Sequence, residues 1–69
     1  MDYQTITYDI VEPGIGLLRL NRPQAYNAVN RLMLRELTAF WSERVHDTDV
    51  NVIILTGSGK GFCAGLDLK

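Results

Sequence analysis

The sequence predicts an α/β fold with a β-hairpin, one helix, a parallel strand and the start of a second helix. Polar and apolar residues alternate before Pro13, and apolar residues recur at spacings of three and four after Tyr26. A nearly continuous apolar run then ends in glycines at Gly57. With 69 residues the chain forms at most one domain, which takes in residues 1–69.

The hairpin is predicted from the first alternating segment. Residues 5–11 place apolar side chains on one face and polar side chains on the other, as a half-buried strand does. Pro13 and Gly14 supply the fixed and the permissive backbone angles of a turn. Residues 15–20 then resume a strand.

The helix is predicted from about Ala28 to Arg44. Either Asn27 or Asn30 is expected to cap its start by accepting a backbone hydrogen bond. His46 is expected to be solvated at its far end. Apolar residues mark one helical face, which we expect to be core or in part a subunit contact: Met33, Leu34, Leu37, Phe40, Trp41 and Val45.

The last strand is predicted over residues 50–56, a β-branched and aliphatic run typical of a strand covered on both faces. We therefore expect it to be central in the sheet. Because the helix carries the chain over the sheet, this strand should lie parallel to the second one through a right-handed crossover. Its C-terminal end leads into glycines, and ligands bind at that end of open α/β sheets.

Composition excludes several classes of protein. Apolar residues make up 46% of the chain and charged residues 22%, so the chain is expected to pack. A net charge of −1 argues against nucleic acid or an anionic membrane as partner. One cysteine, no signal-peptide pattern and no apolar run near the roughly 20 residues of a membrane span favour a cytoplasmic setting.

The stretch GSGKGFCAGLD, residues 57–67, resembles a phosphate loop at first sight, but it fails both phosphate motifs. The Walker pattern would open at Ile54 and would have Gly61 in place of a hydroxyl residue. In the dinucleotide pattern the third glycine falls on Phe62. What remains is a glycine turn before a helix start, where backbone N–H groups lack intrahelical partners and suit a developing oxyanion.

Three motifs in order resemble the N-terminal part of the crotonase family, the enoyl-CoA hydratase/isomerase superfamily. They are LNRPQAYNA at 20–28, VIILTG at 52–57 and GFCAGLDL at 61–68, and the likeness extends over about Ile15 to Lys69. The resemblance implies part of a spiral ββα core and a homotrimer or hexamer. It also implies an acyl-CoA thioester as substrate, its carbonyl held by two backbone N–H groups, with no metal and no cofactor apart from coenzyme A as part of the substrate.

The resemblance also implies site residues. The backbone N–H of Leu66 matches the first oxyanion donor, next to Gly65, and the backbone of Ala64 matches the position that recognises the CoA adenine. Lys69 matches a lysine that meets the CoA phosphates, whereas Gln24 stands where some members have a second such lysine. The remaining matches line the CoA and acyl path: Ala25, Ala28, Asp67 and Leu68.

In the family, the second oxyanion donor and the acid/base carboxylates come from later segments. We therefore expect the 69 residues to be the opening part of a longer lyase or isomerase and to be inactive alone. Two other hypotheses remain: a noncatalytic folding or assembly fragment, and a domain whose glycine loop binds a free nucleotide.

Several side chains have a structural and a functional interpretation. A nucleophilic Cys63 would need a base within reach, but the one histidine, His46, is expected at the remote end of the helix. A small packed thiol is therefore favoured. Asp67 is favoured as a helix-start residue over a general base, because the helix dipole would lower its basicity. Tyr26 suits either a wall of the acyl pocket or loop packing, and Lys60 is expected to be a solvated loop charge.

Overall fold

The computed structural model describes residues 3–63 and 65. Strand β1 (Ile6–Glu12) and strand β2 (Ile15–Leu20) form the hairpin, helix α1 (Arg31–Arg44) follows, and strand β3 (Val52–Gly57) comes last. A short 3₁₀ turn, Pro23–Ala25, lies between β2 and α1. The order of elements confirms the predicted α/β hairpin, helix and strand. Within the described residues no helix has the length and apolarity needed to cross a bilayer.

The sheet has the order β1-β2-β3. Strands β1 and β2 pair antiparallel, with Ile6 opposite Leu20 and an irregularity between Ile10 and Glu12. Strand β3 pairs parallel to β2, from Ile15 opposite Val52 to Leu20 opposite Gly57. The predicted parallel pairing is therefore confirmed, and it brings the C-terminal ends of β2 and β3 to the same edge of the sheet.

The prediction that β3 is central and covered on both faces is wrong for the described residues. β2 occupies the middle of the sheet and β3 its edge. Val52, Ile54 and Leu55 are 52%, 48% and 47% exposed. The physical reason is that covering a parallel strand takes a layer on each face, and the described part of the chain supplies one helix.

Helix α1 starts three residues later than the predicted Ala28, because Asn30 rather than Asn27 is its cap. The Asn30 backbone is extended, and its side-chain Oδ1 accepts a hydrogen bond from the Met33 N–H at 2.9 Å. An amide oxygen in that position satisfies one of the N–H groups that lack a helical partner. The predicted C-terminal end at Arg44 is confirmed, and His46 just beyond it is exposed as expected.

The core lies between α1 and the hairpin. Its buried apolar side chains are Ile6, Leu18, Leu20, Met33 and Phe40. The predicted helical face is only partly buried, because Leu34, Trp41 and Val45 are 56%, 45% and 78% exposed. The ring of Phe40 fills the centre of the layer and meets Tyr8 edge to face, with 4.7 Å between ring centroids.

Tyr8 crosses the sheet surface above Gly16. A Cβ atom at Gly16 would lie 2.5 Å from the Tyr8 ring carbon Cε1 and closer still to the Tyr8 hydroxyl. The Arg44 guanidinium covers the same ring from the other side, 5.0 Å from its centroid. The absence of a side chain at Gly16 therefore allows the Tyr8 ring to pack directly on β2 and to cover its backbone.

A buried carboxylate joins the chain start to the helix. Glu36, 4% exposed, accepts hydrogen bonds from the Gln4 N–H at 2.8 Å, the Thr5 N–H at 2.8 Å and the Thr5 hydroxyl at 2.6 Å. Burial alone raises the pKa of the Glu36 carboxyl, but these hydrogen bonds outweigh burial and hold the pKa below its ordinary value of 4.5. The ionised form is therefore the one that the fold stabilises.

The Gly16→Ala substitution should lower the free energy of unfolding by about 1–3 kcal/mol, because the added methyl group overlaps the Tyr8 ring. Urea unfolding followed by circular dichroism measures the change. In a Tyr8→Ala background the same substitution should be neutral or slightly stabilising, because alanine orders a strand at lower entropic cost than glycine. An equal loss in both backgrounds would contradict the proposed overlap.

The Glu36→Gln substitution should lower the free energy of unfolding at neutral pH by about 1–3 kcal/mol, because charge-assisted hydrogen bonds are lost. A carboxyl whose pKa is lowered by folding stabilises above its unfolded pKa, and this stabilisation disappears as the pH falls through the folded pKa. The difference between the two proteins should therefore shrink below about pH 4.5 in urea unfolding. Glu12→Gln, on the exposed hairpin, is the control; an equal pH dependence in both variants would refute the role of Glu36.

Candidate functional site

Two segments meet at the C-terminal end of the parallel strands. We call residues 21–30, between β2 and α1, the strap, and residues 58–63, after β3, the glycine loop. The N–H of Ser58 donates to the carbonyl oxygen of Leu20 at 2.8 Å, so the glycine loop begins directly beside the strap. The parallel register of β2 and β3 dictates this neighbourhood, since both strands end at the same edge.

The Asn27 side chain holds the two segments together. Its Nδ2 donates to the carbonyl oxygens of Ser58 at 2.8 Å and Gly61 at 2.7 Å, which lie in the glycine loop. Its Oδ1 accepts from the Arg22 N–H at 2.8 Å, within the strap. The residue is 0% exposed, so a buried amide group is satisfied by both protons and its oxygen.

The local chain conformation aims this amide inward. Tyr26 and Asn27 both have positive φ, 52° and 59°, a left-handed conformation in which asparagine is enriched. The Asn27 N–H donates to the Arg22 carbonyl at 2.8 Å, and the Arg22 guanidinium donates to the Ala28 carbonyl at 2.5 Å. The strap is thus a turn that is stabilised by its own hydrogen bonds, in addition to those that it makes with the glycine loop.

A second connection follows two residues along the strap. The Val29 N–H donates to the carbonyl oxygen of Gly65 at 2.8 Å. Gly65 has φ of +110°, a conformation that glycine adopts without a Cβ penalty. A Cβ at Gly65 would meet no heavy atom of the described residues within 4 Å, and Gly65 is exposed. Gly65 is therefore attached to the strap through its carbonyl oxygen.

Glycines allow the loop to approach the strap closely. A Cβ at Gly57 would lie 2.5 Å from the Phe62 carbonyl oxygen and 2.7 Å from Asn27 Nδ2. Gly59 has φ of +82°, and a Cβ there would lie 2.9 Å from the Pro23 Cβ. The glycines that resemble a phosphate motif in the sequence thus serve the packing of the loop against the strap.

The structure brings part of the predicted site together. Gln24 is exposed at the strap surface, Ala25 and Ala28 are half-buried, and Gly65 is tied to the strap through Val29. The other predicted site residues lie outside the described residues: Ala64, Leu66, Asp67, Leu68 and Lys69. The described residues enclose no pocket of their own, and they contain no group of three or more histidine, cysteine, aspartate or glutamate residues that could hold a metal ion.

Three further side chains of these two segments, Tyr26, Lys60 and Cys63, have an expected environment that the structure tests. Cys63 is exposed, so its prediction as a packed thiol is wrong. Its Sγ lies 4.0 Å from the Gly65 carbonyl oxygen. Tyr26 is 57% exposed, and Lys60 is exposed as predicted.

Sequence reasoning missed the role of Asn27. It considered this asparagine as a helix cap, a function that Asn30 performs. The sequence contained a signal for another role. Asn27 lies in a short loop that begins near Pro23, and asparagine in such a loop often adopts a left-handed turn. Its partners, however, lie 31 and 34 residues away, and local sequence does not identify them.

Comparisons with known proteins find similar sequences and similar backbones. The family profile described as enoyl-CoA hydratase/isomerase matches residues 15–69. A probable enoyl-CoA hydratase of Mycobacterium bovis is 44% identical over 69 residues, which cover 100% of this chain and 26% of that protein. The chain therefore spans about a quarter of the length of the curated relatives that it matches.

Two solved structures have a similar backbone. An enoyl-CoA hydratase from Bacillus anthracis gives a TM-score of 0.91 at 36% identity, covering 94% of this chain and 26% of that one. A monofunctional enoyl-CoA isomerase from Mycobacterium smegmatis gives 0.85 at 36% identity, covering 88% and 29%. The fold confirms the expected N-terminal part of a crotonase core. Profile, sequence identity and backbone together show that this chain belongs to the enoyl-CoA hydratase/isomerase family.

Proposed function

We propose that these residues form the acyl-CoA-binding portion of an enoyl-CoA hydratase or isomerase, and that they stabilise a thioester enolate oxyanion with backbone N–H groups. The observation that supports this most directly is the hydrogen-bonded junction between the strap and the glycine loop. It places the strap motif, 20–28, beside the backbone that leads into residue 66. In a family protein, those are the segments assigned to the CoA path and to the oxyanion.

The chemistry favours main-chain donors at this point. Negative charge develops on the thioester oxygen during addition or proton abstraction next to the carbonyl, and fixed N–H dipoles stabilise it without having to reorganise. In this proposal the Leu66 N–H is the first donor, and a later segment of the full-length protein supplies the second. The tie from Val29 to the Gly65 carbonyl supports the proposal, because it fixes the residue that precedes Leu66.

In this proposal the remaining site residues contact different parts of the CoA molecule. We assign the adenine to the Ala64 backbone and the CoA and acyl path to four residues, Ala25, Ala28, Asp67 and Leu68. Lys69 supplies positive charge for the phosphates. Gln24, exposed on the strap, can donate a hydrogen bond to a phosphate but cannot neutralise it. Phosphate binding then depends more on Lys69 than in members with a lysine at position 24.

The choice between hydratase and isomerase belongs to acid/base groups outside these residues, and relatives with both names share the backbone. We propose a cytoplasmic homotrimer or hexamer for the full-length protein. Its substrate brings coenzyme A, and the mechanism as proposed uses no separate cofactor and no metal.

Binding of a free nucleotide is the weaker candidate. A phosphate cradle converges several backbone N–H groups on one anion. In the glycine loop the carbonyl oxygens of Ser58 and Gly61 turn towards Asn27 instead, and the Ser58 N–H is bonded to Leu20. The hydrogen-bonding groups of the loop thus hold it against the strap and do not converge on an anion.

Replacing the Leu66 amide by an ester linkage, in a full-length enzyme that carries this segment, should lower turnover of enoyl-CoA by a factor of about a hundred or more. Loss of one preorganised oxyanion donor costs about 2.7–4 kcal/mol in the activation barrier. Steady-state kinetics with a saturating enoyl-CoA measures the effect.

The control is the same ester at Lys60, an exposed loop position with no assigned role. It should leave turnover within about twofold of the unmodified enzyme, since it removes no donor from the oxyanion. Unchanged turnover in the Leu66 ester would remove Leu66 from the mechanism. Binding of ATP with magnesium as tightly as acyl-CoA would instead favour the nucleotide hypothesis.

A further inference from the structure

The buried amide of Asn27 is the feature that the proposed function leaves without a role. The buried Glu36 has a structural role, since it ties the chain start to α1, and the half-buried Tyr8 packs on Gly16. Asn27 lies at the C-terminal ends of β2 and β3, where the strap meets the glycine loop. It uses its oxygen and both amide protons there, although it is 0% exposed.

We propose that Asn27 is a positioning residue of the acyl-CoA site: its side-chain amide sets the distance between the strap and the glycine loop, and so the path of the backbone that leads to the proposed oxyanion donor. The inference rests on the proposed function. It assigns Asn27 no contact with the substrate; Asn27 acts through the backbone that it holds.

The hydrogen bonds of Asn27 span the glycine loop. One proton of Nδ2 reaches Ser58, the first residue after β3, and the other reaches Gly61, three residues later. Because both protons come from one planar group, the two carbonyl oxygens are held at a fixed separation from each other and from the strap. The turn at Gly59 also approaches the strap, since a Cβ there would lie 2.9 Å from the Pro23 Cβ.

The strap also contacts Gly65, which follows the glycine loop in the chain. Val29, two residues after Asn27, donates its N–H to the Gly65 carbonyl at 2.8 Å. The backbone is therefore attached to the strap at Ser58, Gly61 and Gly65. A shift of the strap at Asn27 moves these attachments together, and residue 66 follows directly in the chain.

Placement of this kind matters for rate more than for binding. An oxyanion donor acts mainly in the transition state, so moving it raises the barrier while ground-state affinity for CoA changes less. A misplacement of about 1 Å from the reacting atoms can cost about a hundredfold in rate. A purely structural asparagine would change stability without this selective loss in kcat.

The test is the Asn27→Asp variant of a full-length enzyme that carries this segment. The carboxylate keeps the shape of the side chain and the acceptor for the Arg22 N–H, but it has no protons for the Ser58 and Gly61 carbonyls. We expect kcat for enoyl-CoA to fall by about tenfold to a hundredfold, whereas KM changes by less than about threefold.

Thr5→Val is the matched control. Valine is isosteric with threonine at this buried position, and the substitution removes the hydroxyl group that donates to Glu36 without removing a hydrogen bond of Asn27. Both variants should unfold at a lower temperature than the parent enzyme, but only Asn27→Asp should lose kcat when both are assayed fully folded. Equal kcat in the two variants, or equal losses, would overturn the inference.

Gly57→Ala tests the same junction from the other side and decides the question if Asn27→Asp does not fold. Its methyl group would lie 2.5 Å from the Phe62 carbonyl oxygen and 2.7 Å from Asn27 Nδ2, so it would displace the glycine loop from the strap while every hydrogen-bonding group remains. We expect a smaller loss of kcat, about threefold to tenfold, with KM nearly unchanged; an unchanged kcat contradicts the inference. Failure of the parent enzyme to bind or turn over any acyl-CoA would contradict the proposed function instead.

Discussion

The hydrogen bonds of one buried side chain connect the parts of this molecule that its sheet leaves separate. Strands β2 and β3 end side by side, but a parallel pair does not by itself fix the loops that follow its strands. Asn27 provides that fixation, because it is inaccessible to water and must find its partners within the protein. Its partners are main-chain groups, two carbonyl oxygens and the Arg22 N–H, so the junction specifies backbone position and leaves the side chains of the glycine loop free to vary.

The rest of the fold supports this junction from a distance. Phe40 and Tyr8 pack edge to face between the helix and the sheet, and the Arg44 guanidinium lies over both rings. Glu36 fastens the chain start to the same helix. These contacts form a layer at one side of the sheet, whereas the strap and glycine loop lie at its edge. The molecule therefore separates the groups that hold the scaffold from the groups that shape the site.

Periodicity was sufficient to predict the hairpin, the helix and the parallel strand, because each depends on which residues face the core. The ends of β2 and α1 also agree with the prediction, at Leu20 and Arg44. The helix start did not, because two asparagines compete for the cap and the choice between them depends on a loop 31 residues away. The exposure of Val52 and Cys63 could not be predicted from the sequence either, because burial depends on neighbouring layers and not on residue type alone.

For the site, motif resemblance was more informative than local chemistry. The described part of the site is distinguished by main-chain features, namely positive φ angles, close backbone approaches and hydrogen bonds to carbonyl oxygens. The strap and the glycine loop were recognised as separate motifs at fitting spacing. Their physical connection through Asn27 and Val29 required three-dimensional information, since it joins residues distant in the chain.

The mixed pairing of β2 also has a consequence for biosynthesis. Its antiparallel partner β1 is already present when β2 leaves the ribosome, but its parallel partner β3 follows only after the strap and α1 have been translated. During that interval one edge of β2 has unpaired N–H and C=O groups, which are a template for association with other nascent chains. Translation speed across residues 21–57, and chaperone occupancy of that edge, therefore influence the yield of correctly assembled protein.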